Sequence, residues 1–283
     1  MSAATAGLVL AHRTLRWSSP ILFNDPFDVP RELSFGITPE DLVHALVRRV
    51  TLLIRHPPED TSNLKPNLQL IADTVRKGIS PEMMQELLAG LTEVDASHRP
   101  TSERMDALRA MWKSWLPDHR ILCLTVNASH AAMWYHYADQ YRGAVLEFRC
   151  IDELDSAWLA AKPLTYPAAK PAIYTADGWA ELITMPNEAA IRAILDTATY
   201  TKSSDWSYEC EWRVGTFKRS TDTGYFTDYP FNSHELAAVY LGPMISVGDR
   251  RSLIDAAAGF PNVKVWTTAI GMTREFTFSE AVV

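Results

Sequence analysis

The chain is poor in the residues that usually mark specialised chemistry. Its three cysteines, Cys123, Cys150 and Cys210, sit in apolar or strand-like runs with no metal-ligand spacing. That speaks against a disulfide scaffold or zinc module and predicts reduced, buried thiols in a cytoplasmic protein. The eight histidines form no HExxH and no Cys/His cluster, and His130 and His136, six apart, point to different faces of a helix. No metal is therefore expected. Twelve glycines supply no GxxxxGK[ST], no GxGxxG after a strand and no GxSxG elbow, which removes P-loop, dinucleotide-fold and nucleophile-elbow chemistry. Lys and Arg (27) are outnumbered by Asp and Glu (34), a net charge of -7. This gives no support to a general nucleic-acid surface, leaving only a local basic cleft open. No apolar run approaches the roughly 20 residues that span a bilayer, and the start shows no signal-peptide pattern. A membrane partner is not expected.

What is present is ordinary globular composition, 47% hydrophobic and 22% charged, with nine Trp and ten Tyr. That is enough for one large domain or two small ones, and Trp and Tyr also line pockets for flat ligands such as nucleobases. A short helix running into a strand is read over 6–17. A helix begins at Thr38 (N-cap) and Pro39 (first turn), with Leu42, Leu46, Val50 and Leu53 at helical spacing; further helices follow at 64–77, 80–92 and 101–115, with loops around Pro57-Pro58 and Asp95–Pro100. From Arg120 the pattern changes to strands at 121–126, 143–148, 162–166, 209–217, 236–241, 263–268 and 274–277. These are interleaved with helices at 130–141, 187–199 and 247–257. The expectation is a single α+β domain, residues 1–283, with a helical insertion at about 38–118 and strands too scattered for a doubly wound sheet.

The most informative stretch is Trp206-Ser207-Tyr208-Glu209-Cys210-Glu211-Trp212-Arg213. Read as one extended strand, it places Glu209 and Glu211 side by side on one face, with Tyr208, Cys210 and Trp212 on the other. Two like charges that close need a cation or a substrate to relieve them. Arg213 lies on the same face, two residues on, so a structural ion pair with Glu211 is one reading. The other is catalytic: Glu211 stabilises a positively charged sugar while Glu209 orients or deprotonates a nucleophile, as carboxylates do in glycosyl transfer.

Two further clusters stand out. In Arg16-Trp17-Ser18-Ser19-Pro20 through Phe23-Asn24-Asp25-Pro26-Phe27-Asp28, Arg16, Ser18 and Ser19 offer hydrogen bonds to a phosphate or ribose. Asn24 and Asp25 either fix the loop around a ligand or simply bond their own backbone in a tight turn. In Met133-Trp134-Tyr135-His136-Tyr137-Ala138, an aromatic helix face is core or ligand pocket, and His136 is the residue least expected of plain packing.

Taken in order, Ser18–Asp28 (SSPxxFNDPFD), Cys123-Leu124-Thr125 with Met133–Gly143 (MWxHYAxxxxG), and Lys202–Arg213 (KSxxWxYExEWR) resemble a bacterial family catalogued only as a domain of unknown function. The Ala238–Gly242 strand also fits. More distantly, the chain is similar to ADP-ribosyltransferases, in which a Glu-x-Glu opens a core strand and its second Glu is catalytic. There a preceding Ser-Thr-Ser strand leads into a short helix and a glycine-containing return strand. That resemblance implies a split mixed or antiparallel β core and NAD as substrate. It implies Glu211 at the ribose and Glu209 at the acceptor. Thr125, Arg16 and Ser18 would contact the dinucleotide, with Arg16 or His12 gripping it, and Trp134 or Tyr137 would stack on nicotinamide or adenine. The acceptor would be a protein or nucleic acid, or water in an NAD glycohydrolase. The resemblance implies a bacterial toxin or antiviral defence role. Two other readings stand beside it: a nucleotide-binding sensor or interaction module without catalysis, and a hydrolase or nuclease using the carboxylates with a divalent ion.

Overall fold

The computed structural model describes residues 1–95, 99–169, 173–186 and 188–281. Residues 96–98 of the expected loop at Asp95–Pro100, and residue 187 at the expected start of a helix, lie outside that set. Along the chain run α1 (Ala3–His12), β1 (Thr14–Ser18) and a short 3-10 turn at Pro20–Leu22. Four helices follow: α2 (Pro39–Arg55), α3 (Pro66–Arg76), α4 (Pro81–Asp95) and α5 (Arg99–Trp115). Next come β2 (His119–Thr125), α6 (Ala131–Tyr137), β3 (Ala144–Phe148), β4 (Lys162–Pro163), α7 (Ala176–Thr184) and α8 (Glu188–Thr199). A 3-10 segment at Ser204–Glu209 leads into β5 (Glu211–Phe217), followed by β6 (Phe226–Pro230), β7 (Leu236–Leu241), α9 (Val247–Ala257), β8 (Lys264–Ile270) and β9 (Phe276–Glu280).

The fold is α+β and divides into two compact units. The first comprises Met1–Asn24, Pro117–Tyr166 and the chain from Ser204 onward, and it holds both sheets. One sheet has the order β4-β5-β2-β1-β6 and is antiparallel throughout. The other, β3-β7-β8-β9, is mixed: β7 and β8 are parallel, joined through α9, while its outer pairs are antiparallel. Successive side chains alternate faces along a strand, so the registers Ser18↔Ile121, Cys123↔Arg213 and Thr125↔Glu211 collect Arg16, Ser18, Cys123, Thr125, Glu211 and Arg213 on one face of the first sheet. The opposite face carries Leu15, Trp17, Leu122 and Val214 into a core shared with Val239, Leu241, Leu253 and Val265. Each such side chain contributes about 1.5–3 kcal/mol by leaving water.

The second unit, Asp25–Leu116 with Pro167–Ser203, is helical. α2 starts as its sequence dictates: Thr38 Oγ1 accepts the Asp41 N–H at 3.1 Å and Asp41 accepts the Thr38 N–H at 2.9 Å, a reciprocal capping box. α2 packs on α7, a helix where the sequence reading assigns no element. Its start signal is the Thr175 side chain accepting the Gly178 N–H at 3.0 Å. Trp179 then buries edge-on to Phe35, 4.7 Å between ring centroids.

Three expectations are corrected. The helix expected at 130–141 stops at Tyr137, because Asp139, Gln140 and Tyr141 all take left-handed φ values (49, 50 and 70°) and carry the chain round into β3. Gly242 sits against that turn, where an added Cβ would lie 2.2 Å from the Tyr141 carbonyl oxygen, so only glycine fits there. The three thiols are in no disulfide and are exposed, not buried. Cys123 lies on the polar sheet face, Cys150 follows β3, and Cys210 occupies a corner before β5. Finally, the strand expected at 209–217 begins at Glu211, with consequences for the acids.

Candidate functional site

Glu209 ends the 3-10 segment and Glu211 opens β5; between them Cys210 adopts a left-handed φ of 45°. The Glu-x-Glu pair is thus split by a corner, and the two carboxylates are not neighbours on one strand face. Alternation fails here because it requires extended backbone at Cys210. The same corner removes Trp206 and Tyr208 from the strand; Tyr208 instead stacks on His130 with ring centroids 5.1 Å apart.

Both acids are withdrawn from water, Glu209 at 2% and Glu211 at 5% exposure. Glu209 Oε1 accepts the Tyr137 hydroxyl at 2.7 Å, which ties the end of α6 to the corner. Glu211 Oε1 accepts the Nε–H of the fully buried Arg213 at 2.7 Å. The ion-pair reading of Arg213 is therefore what the geometry presents. Glu211 thus supplies a counter-charge to a guanidinium held in low dielectric. The Arg213 guanidinium also lies 5.3 Å from the centre of the Phe23 ring, at the start of the FNDPFD segment.

The backbone around the acids is fastened separately. Thr125 Oγ1 donates to the Glu209 carbonyl at 2.7 Å and accepts the Asn127 N–H at 3.2 Å. The Glu211 N–H donates to the Tyr166 hydroxyl at 2.8 Å. A hydroxyl, two carboxylates, two phenols and a guanidinium thus meet at one end of the β2–β5 pair. Burial and charge also act on His119 at the other end of β2: desolvation, reinforced by Arg213 and Arg120, lowers its imidazole to about 4.

The remaining candidates are distributed differently. Arg16 makes a bidentate pair with Asp228 at 2.9 and 3.0 Å and lies over the Phe226 ring at 3.8 Å. The shared hydrogen bonds hold Arg16 above and Asp228 below their ordinary values. Ser18 ends β1 on the same face as Glu211. Ser19 is buried and caps the Pro20–Leu22 turn, accepting the Ile21 N–H at 3.4 Å. Asn24 closes the first unit's opening segment, and Asp25 begins the second, accepting the Phe27 N–H at 2.8 Å in the turn expected of it. Trp134 is core, 1% exposed, its indole N–H donated to the Ala128 carbonyl at 2.7 Å and its ring against Phe276. His136 is exposed, edge-on to the neighbouring Tyr135 ring. The acids, Thr125 and Tyr137 come together; Trp134 and His136 point elsewhere.

Tyr166 carried no local signal, since its role depends on the chain returning beside β5. Lys202 and Asp28 had one, standing at the ends of two motifs. Within the helical unit their side chains meet, Lys202 Nζ 3.7 Å from Asp28 Oδ2, both nearly sealed from solvent. Among the described residues no group of three or more His, Cys, Asp or Glu is placed to hold a metal ion, and no helix is long and apolar enough to cross a membrane.

Residues 133–214, the stretch from the aromatic helix to the acid corner, match a family described as "Protein of unknown function (DUF2971)". Neither curated proteins nor solved structures gave a match. The matched segment contains Tyr137, Tyr166, Glu209, Glu211 and Arg213, while Thr125 and Phe23, which also touch this group, lie outside it.

Proposed function

We propose that the protein is an NAD-dependent ADP-ribosyltransferase acting through Glu211. The observation that carries this reading is the pairing of Thr125 with Glu211 where β2 ends and β5 begins, with the Thr125 hydroxyl bonded to the Glu209 carbonyl. It sets a strand hydroxyl and a strand-opening glutamate side by side, with a short helix and a return strand following the hydroxyl. In the reaction, the bond from ribose C1′ to nicotinamide breaks and nicotinamide leaves with the electron pair. Glu211, held in place by Arg213, faces the positive charge left on the ribose. The acceptor's nucleophilic atom bonds to C1′ and gives up its proton, with Glu209 as the nearby base. Arg16 is more than half exposed and can exchange Asp228 for the diphosphate. The role is that of a toxin or defence effector modifying a macromolecule. The test is nicotinamide release from NAD, followed chromatographically: wild type releases it, EDTA changes nothing, and Glu211→Gln stops it.

A second reading is favoured by one specific contact, the bond between Glu211 and a fully buried Arg213. A charge so enclosed is what a structural pair requires, and the protein is then a nucleotide-binding module without turnover. In that case NAD binds but releases no nicotinamide, and Glu211→Gln lowers only the melting temperature.

A further inference from the structure

The first sheet has a second feature, on the face opposite Glu211. There Leu15, Trp17, Val214 and Thr216 floor a cavity of about 520 Å³, within the range of small-molecule sites. Its walls are the rings of Trp17, Trp158, Tyr229 and Phe231, and its polar groups include Asp155 and Glu235. Glu235 is 5% exposed. Its Oε2 closes the Phe231–Glu235 turn by accepting the Asn232 N–H at 2.6 Å. A carboxylate has two accepting oxygens, and among the described residues no lysine, arginine or histidine forms an ion pair with this one. None of the cavity's described lining side chains is cationic either.

A carboxylate removed from water without a counter-charge is costly, and aromatic walls attract cations through their ring faces. The molecule already uses that attraction nearby: the Arg219 guanidinium lies 5.1 Å from the centre of the Tyr229 ring. The cavity therefore suits a positive ligand and repels phosphates and carboxylates. A nitrogen bearing hydrogens suits it better than a quaternary one, because Glu235 is a hydrogen-bond acceptor.

We propose that this cavity binds a small organic ammonium ion carried on an apolar body, with Glu235 as its counter-ion and the four rings as its walls. The site lies across the sheet from Glu211 and goes beyond the NAD reading.

The test is calorimetry at pH 7 on the full chain with three probes of one shape: 2-phenylethylammonium, 2-phenylethanol and 3-phenylpropionate. The ammonium binds about tenfold more tightly than the alcohol, and the carboxylate is weakest. Glu235→Gln, checked for native near-ultraviolet circular dichroism, brings the ammonium down to the alcohol's level. In the wild type, needing no variant, the ammonium shifts the indole N–H resonances of Trp17 and Trp158. Excess NAD leaves ammonium binding unchanged, so a failure of the NAD reading and a failure here are separately visible. Equal binding of the three probes, binding of none, displacement by NAD, or an unaltered preference in folded Glu235→Gln overturns the proposal.

Discussion

Arg213 Nε and Glu211 Oε1 lie 2.7 Å apart with both side chains sealed from solvent. Breaking a buried ion pair by removing one partner costs on the order of 3–5 kcal/mol. Glu211→Ala and Arg213→Ala are each expected to lose about that much in urea denaturation. The double variant Glu211→Leu/Arg213→Met is expected to lose far less than the sum of the two. An additive result would show that the pair has no coupling.

The contacts of Glu209 predict a smaller effect. Tyr137→Phe deletes a 2.7 Å hydrogen bond to a buried carboxylate, a loss of about 1.5–3 kcal/mol. Thr125→Val deletes a neutral bond to the Glu209 carbonyl and is expected to cost about 1 kcal/mol. Equal midpoints for Tyr137→Phe and wild type in chemical denaturation would remove Tyr137 from the support of the corner.

Two glycines are expected to respond in opposite directions. Gly242→Ala drives a methyl to within 2.2 Å of a backbone oxygen, and overpacking of this kind costs about 1–3 kcal/mol or more. Gly90 lies inside α4 with nothing within 4 Å of its would-be Cβ, so Gly90→Ala is expected to stabilise by about 0.5–1 kcal/mol. Melting temperatures of the two variants, on either side of wild type, check both.

His119 makes stability depend on acid. Its folded value of about 4 lies below the ordinary 6.5, so on acidification the unfolded chain takes up the proton first. Above roughly pH 6.5 the residue is neutral in both states and contributes nothing. As pH falls from there to about 4, stability erodes by up to about 3 kcal/mol, then levels off. His119→Gln is expected to flatten that portion of a plot of urea midpoint against pH. An unchanged slope in the variant would assign the acid loss to other groups.

Much of the fold was legible from caps and periodicity. Thr38 with Pro39 marked the start of α2, and the apolar run 121–126 marked β2 within two residues of its observed ends. α7 was missed because Gly178 sits in its first turn, where glycine reads as loop. The site was legible as a set of residues but not as a shape. The pairing of Glu211 with Arg213 was legible from their spacing, but the expected face shared by Glu209 and Glu211 was not met, because the backbone turns at Cys210. A left-handed φ at a non-glycine residue has no period and no composition. The exposed cysteines failed for a related reason: an apolar neighbourhood in sequence says nothing about which side of a sheet a residue occupies.

The corner at Cys210 has a consequence for how this chain tolerates change. A residue added or lost there would rotate every following position of β5 by half a period, sending Arg213 into the apolar layer and Val214 toward the charged one. A substitution along this stretch disturbs one contact at a time, whereas an insertion displaces them all. The spacing between the two acids is therefore fixed by the sheet itself, whatever chemistry the acids perform.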